Sequence, residues 1–301
     1  ECRKVNWVLD ADIRGFYDAI SHEWLMKFIE HRIADKRVVR HVRKWLKAGV
    51  LEDGERKVVD KGSPQGGSAS PLLANLYLHY TLDLWARQWR RRHATGQMII
   101  VRYVDDFIVG FERRGDAERF GRELAERLRR FDLELHPEKT RLIEFGRFAA
   151  VRRDSRGAGR PKTFDFLGFT HYCGKTRKGR FKVKRLSSGE RMRRKLKGIS
   201  RELFRHMHAS ISQQGGWLKR VVSGWYQYHA VPFNFRALSR FYYEVFRRWF
   251  KVLRRRSQRG RRLSWDRMAR IARRWLPRPR ILHPHPTDRL RVITRGRSPV
   301  R

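Results

Sequence analysis

In the opening stretch KVNWVLDADIRGFYDAI the apolar positions alternate: Val5, Trp7, Leu9 and Ala11 share one face, with Asn6, Val8, Asp10 and Asp12 on the other. A period of two predicts a strand that ends in carboxylates. Ser21 then stands as N-cap to a helix burying Trp24, Leu25, Phe28 and Ile29. The Gly, Ser and Pro cluster from Gly62 to Pro71 reads as a loop. PLLANLYLHYTLDLWARQW behind it is apolar enough for a buried helix that tolerates Pro71 in its first turn. IIVRYVDDFIVGF, Ile99 to Phe111, is two short apolar runs meeting at Asp105-Asp106, the pattern of a hairpin. After it, Asp116 is placed to cap a helix in which Phe120, Leu124, Leu128 and Phe131 recur at helical spacing, and LELHPEKTRLIEF reads as strand, loop and strand. The order strand, helix, hairpin, helix, strand predicts an α+β module with a mostly antiparallel sheet.

The pattern changes after residue 150. AVRRDSRGAGRPKT is polar and glycine-rich, the composition of a linker or exposed loop, and FDFLGFTHY resumes apolar alternation. Beyond it the chain is basic and reads as largely helical. In LSRFYYEVFRRWFKVLRRR, Leu238, Phe241, Tyr242, Val245, Phe246, Trp249 and Leu253 form one stripe, and Arg240, Arg247, Arg248, Arg254 and Arg255 lie largely off it.

Charge sharpens this division. Residues 1–150 hold 29 Lys+Arg against 23 Asp+Glu, whereas residues 151–301 hold 43 against 7, a net of +36 out of the chain's +42. The N-terminal half has acidic residues to spare for chemistry; the C-terminal half has the charge to bind a polyanion, nucleic acid before a membrane surface. No apolar run approaches the ~20 residues of a spanning helix. Cys2 and Cys173, the two cysteines, cannot make a Cys-x-x-Cys zinc site or a disulfide framework, and a reducing, intracellular setting follows. His283 and His285 lie in the proline-rich LHPHP, which reads as loop.

The adjacent aspartates ask for an explanation, because an unpaired carboxylate among apolar residues costs several kcal/mol or takes up a proton. Asp105 and Asp106 either occupy a solvated turn or face something positive. Neighbouring antiparallel strands would bring Asp12 beside them, and three converging carboxylates suit Mg²⁺, a hard cation that prefers oxygen ligands. Two such ions can clamp the oxygens of a phosphoryl transfer, the chemistry of polymerases and nucleases.

Five blocks now point in one direction. RYVDDFIV resembles the Tyr-x-Asp-Asp box of reverse transcriptases, VLDADIRGFYDAI their first catalytic strand, and GSPQGGSASPLLANLYL the loop and helix that follow in the group II intron branch; LHPEKT and FLGF look like that branch's later blocks. The tail GWYQYHAVPFNFRALSRFYYEVFRRWF resembles the RNA-binding maturase region beside the thumb in the same proteins. The resemblance implies a reverse-transcriptase palm over 1–175, a basic helical thumb start over 176–214, and a thumb/maturase RNA-binding region over 215–301. It makes Asp12, Asp105 and Asp106 catalytic metal ligands for two Mg²⁺ ions, with Asp10 the rival for the first role. Tyr17 resembles the gate that meets a ribose 2′-OH, with Phe16 the neighbouring alternative. Gln65 and Gly66 resemble the segment lining template and incoming nucleotide. Lys139 resembles the basic residue near the triphosphate that donates a proton to pyrophosphate. Either aromatic, Tyr17 or Phe16, would equally serve as ordinary core.

The expected reaction is attack of a primer 3′-OH on the α-phosphate of a dNTP opposite an RNA template, with binding of intron RNA and help in its splicing. Template and intron RNA, a DNA primer or target and dNTPs are the expected partners. The expected setting is a bacterial cytoplasm, at the nucleoid during mobility, and no membrane is involved. The family's N-terminal fingers region does not precede the first catalytic strand, which points to a fragment, a degenerate copy or a separate chain supplying the fingers. The paired cysteines of a His-Asn-His endonuclease are also absent. The alternatives are an RNA-binding maturase without self-sufficient polymerase activity and a defence-associated or diversity-generating reverse transcriptase.

Overall fold

The computed structural model describes residues 4–47, 50–52, 55–57, 61–62, 69–176 and 178–285. The chain divides into two compact units: one runs through Leu167 and includes Tyr172–Val183, the other takes Gly168–His171 and everything from Lys184 onward.

The first unit begins with β1 (Trp7–Ala11), the short α1 (Phe16–Ala19), α2 (His22–Arg32), α3 (Lys36–Lys47) and a small hairpin of β2 (Val50–Glu52) and β3 (Glu55–Lys57). α4 (Ser70–Leu78) runs through a π-helical turn, His79–Asp83, into α5 (Leu84–Arg92). The hairpin β4 (Met98–Tyr103) and β5 (Asp106–Phe111) follows, then α6 (Arg114–Arg129), β6 (Arg141–Glu144), α7 (Ala149–Asp154) and β7 (Phe164–Phe166); the residues of β8 (Phe169–Lys175) and β9 (Phe181–Ser187) are divided between the two units. The principal sheet is antiparallel throughout, in the order β4-β5-β1-β6. Sequence alternation therefore places a buried strand, β1, at its centre and leaves β4 at an edge.

The two faces of this sheet do different work. Leu9, Ala11, Phe107, Val109 and Phe111 pack in one core with Leu25 and Ile29 of α2, Tyr77 and Leu78 of α4, and Phe120, Leu124 and Leu128 of α6. On the opposite face Val8, Ile108 and Ile143 build a smaller cluster with Val5, Phe145, Phe164 and Phe166. Two large side chains of the core have their polar ends matched: the Tyr77 hydroxyl donates to the Phe131 carbonyl at 2.7 Å and the Trp89 indole N–H to Glu123 at 2.6 Å.

Two local expectations change. Asp116 is not the cap of α6, which starts at Arg114; its carboxylate accepts from the amides of Thr95 (2.9 Å) and Gly96 (3.0 Å) and ties down the turn before β4. The stretch 150–163 is not linker from its first residue, because Ala149 is buried and starts α7, whose downstream Arg156 pairs with Glu144. The Ser21 N-cap position is as expected, without a side-chain bond to the helix.

The second unit is helical: α8 (Gly189–Arg205), α9 (Ile211–His229), α10 (Phe235–Arg255), α11 (Gln258–Arg261) and α12 (Trp265–Trp275). The stripe Leu238, Phe241, Val245, Phe246, Trp249 and Leu253 is buried with Leu196, Ile199, Leu218 and Val222. Gln214 is a buried polar key of this core. Its amide donates to the His206, Met207 and Ala209 carbonyls, and its oxygen accepts from the Trp249 indole at 2.9 Å.

Candidate active site

The register of the central sheet assembles the carboxylates. Asp10 lies opposite Ile108 on β5 and Arg141 on β6, and Ala11 lies opposite Phe107. The ladder ends there, and Asp12, the residue after β1, is close enough for its charge to act on Asp106, the first residue of β5. Residues opposed across antiparallel strands point to one side, and side chains alternate along each strand, so Asp10 and Asp106 share the face opposite the helices. Asp105 occupies the turn between β4 and β5.

These groups act on one another. Burial raises the Asp106 pKa above the ordinary aspartate value, the charges of Asp10, Asp105 and Asp12 raise it further, and a hydrogen bond from the Leu167 backbone amide opposes the rise. Burial likewise raises Asp10, against the lowering effect of Arg141, whose guanidinium bonds it at 2.8 Å; Asp165 and Asp12 add to the rise. Asp10 is the more enclosed, its side chain 16% exposed against 37% for Asp12.

The LHPEKT segment is folded against Asp12. The His136 amide donates to the Asp12 carbonyl (2.7 Å) and the Thr140 amide to the His136 carbonyl (2.9 Å). From that turn the Lys139 ammonium reaches the Asp12 carboxylate at 2.9 Å, and the carboxylate raises its pKa. Lys139 and Arg141 thus bring positive charge to the rim of the acidic face.

Tyr17 and Phe16, adjacent in α1, part company. Phe16 is 2% exposed and belongs to the main core. Tyr17 is half-buried, stands edge-on to Phe16 at 5.5 Å, and has its pKa raised by burial and by the charge of Asp105. Of the two, Tyr17 is within the field of the aspartates. Gln65 and Gly66 lie outside the described residues. Their loop leaves from Gly62, whose amide donates to the Ile20 carbonyl (2.7 Å) and whose φ of +93° a side chain rarely adopts; an added Cβ would meet the Asp18 and Tyr17 backbone at 3.1 Å.

Three contributors escape the sequence pattern. Leu167, at φ 49°, offers its amide to Asp106 from the FLGF turn. Asp165 adds a further carboxylate near Asp10. Arg102 donates to both carboxylate oxygens of Asp83 (2.8 and 2.5 Å), to the Asn75 side-chain oxygen (2.9 Å) and to the Val104 carbonyl (2.8 Å). Val104 has φ 57°, a left-handed conformation that costs a residue with a Cβ roughly 1–2 kcal/mol. Only the first of these has a signal in the sequence, the Leu-Gly pair of a tight turn.

The donors on the acidic face are all hard oxygens, and the charges of Asp10, Asp105 and Asp12 reach Asp106, whose carboxyl burial raises first of all. The chemistry of the set therefore fits a divalent cation. The ring is not closed: among the described residues no three His, Cys, Asp or Glu side chains are gathered closely enough to hold a metal.

In the second unit the charge is concentrated on a groove lined by Arg247, Lys251, Arg254, Arg255, Arg261 and Trp265. Its one acid, Glu244, is bonded to Arg248. Trp225 is stacked on both faces, by His229 (3.8 Å) and Phe241 (4.7 Å), and is core. No helix among the described residues is long and apolar enough to cross a membrane.

The family model described as reverse transcriptase (RNA-dependent DNA polymerase) matches residues 1–171. The group II intron-encoded protein LtrA of Lactococcus lactis subsp. cremoris is 44% identical over 86 residues, 29% of this chain and 14% of that protein. A 91 kDa protein in the cob intron of Schizosaccharomyces pombe is 40% identical over 73 residues, 24% of this chain and 9% of that protein. The matched stretch is thus a small part of each relative's length. Among solved structures, the likeness to apo telomerase from Candida tropicalis covers 89% of this chain and 48% of that chain at 10% identity and a TM-score of 0.47, which is loose. With its matched region spanning more than half of its residues, the chain belongs to the reverse transcriptase family, with relatives named as group II intron-encoded proteins.

Proposed function

We propose that the chain is an RNA-directed DNA polymerase of the group II intron type, with the first unit as palm and the basic helical unit as a thumb and maturase region that holds intron RNA. The observation that supports this is the gathering of aspartates where β1 and β5 meet: Ala11 lies opposite Phe107, and the charges of Asp10, Asp12 and Asp105 all act on Asp106. Asp12, Asp105 and Asp106 would hold divalent cations, Mg²⁺ by the hardness of the donors; bound there, such ions lower the cost of charge building up on the transferring phosphoryl group. The protein's own part is positioning and neutralisation. Lys139, at the rim, is placed to bind the triphosphate of a dNTP and give a proton to the departing pyrophosphate. Tyr17 would meet a ribose 2′-hydroxyl and so favour deoxynucleotides, a role supported by its place in the field of Asp105, and Gln65 and Gly66 would meet the template and nucleotide.

The test is incorporation of dTTP on an RNA template with an annealed DNA primer, comparing the chain with its Asp105→Asn variant in Mg²⁺. Incorporation falling by at least about a thousandfold in the variant supports the assignment, and equal incorporation by both overturns it.

A second reading, an RNA-binding maturase that does not polymerise, is supported by the net +36 charge of residues 151–301. It predicts no incorporation by either protein and tight RNA binding indifferent to Asp105→Asn.

A further inference from the structure

We infer that Arg102 is a positioning residue for the paired aspartates, a role that rests on the polymerase reading above. The register pairs Arg102 with Phe107 and Tyr103 with Asp106, so Arg102 leaves β4 on the helix-covered face, opposite to the carboxylates. From there it cannot touch a substrate on the acidic face, and its side chain is 14% exposed. What it does touch is the turn itself and the elements behind it. One nitrogen holds the carbonyl of Val104, the residue kept at φ 57° immediately before Asp105, and the same nitrogen holds Asn75 of α4. The other two grip Asp83, the last residue of the π-helical turn.

This arrangement answers a mechanical need. Among the described residues β4 is an edge strand, hydrogen-bonded to β5, and no described strand steadies the outer side of the turn. A β-branched residue in a left-handed conformation persists only where its surroundings over-determine it. The guanidinium, planar and able to offer several donors in a fixed fork, ties the strained carbonyl to two helical segments at once. A lysine has the charge but not the fork.

The experiment uses the full chain with Arg102→Met, Arg102→Lys and Asp83→Asn. Hydrogen exchange is read on peptides covering 99–111, alongside kcat and KM for dTTP and affinity for an RNA–DNA primer–template. Arg102→Met should speed exchange at the amides of 103–106 with the rest of the sheet unchanged. It should lower kcat about a hundredfold, the scale of a misplacement of ~1 Å, and leave KM and primer–template affinity within about twofold. Arg102→Lys and Asp83→Asn should be intermediate in both readings. Unchanged exchange at the turn in Arg102→Met, or a loosened turn with unchanged kcat, overturns the inference. If Arg102→Met loses protection throughout, the milder Asp83→Asn takes its place with the same two criteria. A wild-type chain that incorporates nothing would sink the polymerase reading, while the exchange comparison still decides whether Arg102 orders the turn.

Discussion

Single residues separate roles that neighbours in sequence share. Asp10 and Asp12 lie two apart, yet Asp10 is enclosed and held by Arg141 while Asp12 is more open and is met by Lys139 at the rim. Asp12→Asn should therefore abolish incorporation, and Asp10→Asn should retain a measurable fraction of it; the reverse ranking in primer extension would exchange their roles. Gly146 shows how backbone alone can fix a position. At φ +131° it passes so close to Val5 that an added Cβ would lie 2.1 Å from the Val5 carbonyl oxygen. Gly146→Ala should cost on the order of 2–4 kcal/mol, visible as a lower denaturant midpoint, because both conformation and clash oppose it. The aspartates are legible in the sequence, since a charged pair between apolar runs is conspicuous. The choice between Phe16 and Tyr17 is not, because a four-residue helix is too short to show a periodicity that says which side faces the core.

At the scale of elements, long periodic segments are the readable ones: β1, the hairpin, α6 and α10 follow from spacing alone. The π-helical turn in the middle of the predicted helix has no such signature, and it is where Asp83 is carried to Arg102. In the second unit, Ser187, His229 and Asn234 are buried together. Asn234 Nδ2 donates to the Ser187 hydroxyl (2.8 Å), which shares a hydrogen bond with His229 Nδ1 (3.1 Å). Burial and the nearby Arg191 charge lower the His229 pKa to about 4. The unfolded chain then takes up the proton first, near pH 6.5, so stability is full above that value and declines as pH falls through about 4, by up to about 3 kcal/mol. Chemical denaturation between pH 7 and pH 4 should show this fall, and His229→Gln should flatten it. Helix contact is equally specific at Gly215, where an added Cβ would come 2.4 Å from the Trp275 ring. Gly215→Val should displace α12 from α9 and expose it to limited proteolysis.

At the scale of the whole molecule, the split in charge read from the sequence is the basis for proposing that one unit carries the chemistry and the other holds RNA. RNA held by the basic unit through about six to ten phosphates should lose ~10³–10⁵ in affinity between 50 and 200 mM salt, and a flat response in a filter-binding titration would remove that unit from the interface. The groove of Arg247, Lys251, Arg254, Arg255 and Arg261 carries a further consequence, for the chain on its own. Its cations face one another with a single acid among them, so in dilute buffer the free protein works against its own field. Salt that loosens the complex should therefore tighten the fold of the uncomplexed chain. The melting temperature of the free protein should rise with ionic strength while that of the RNA-bound protein falls toward it, so that the polyanion acts as the missing counter-charge of folding as well as the ligand.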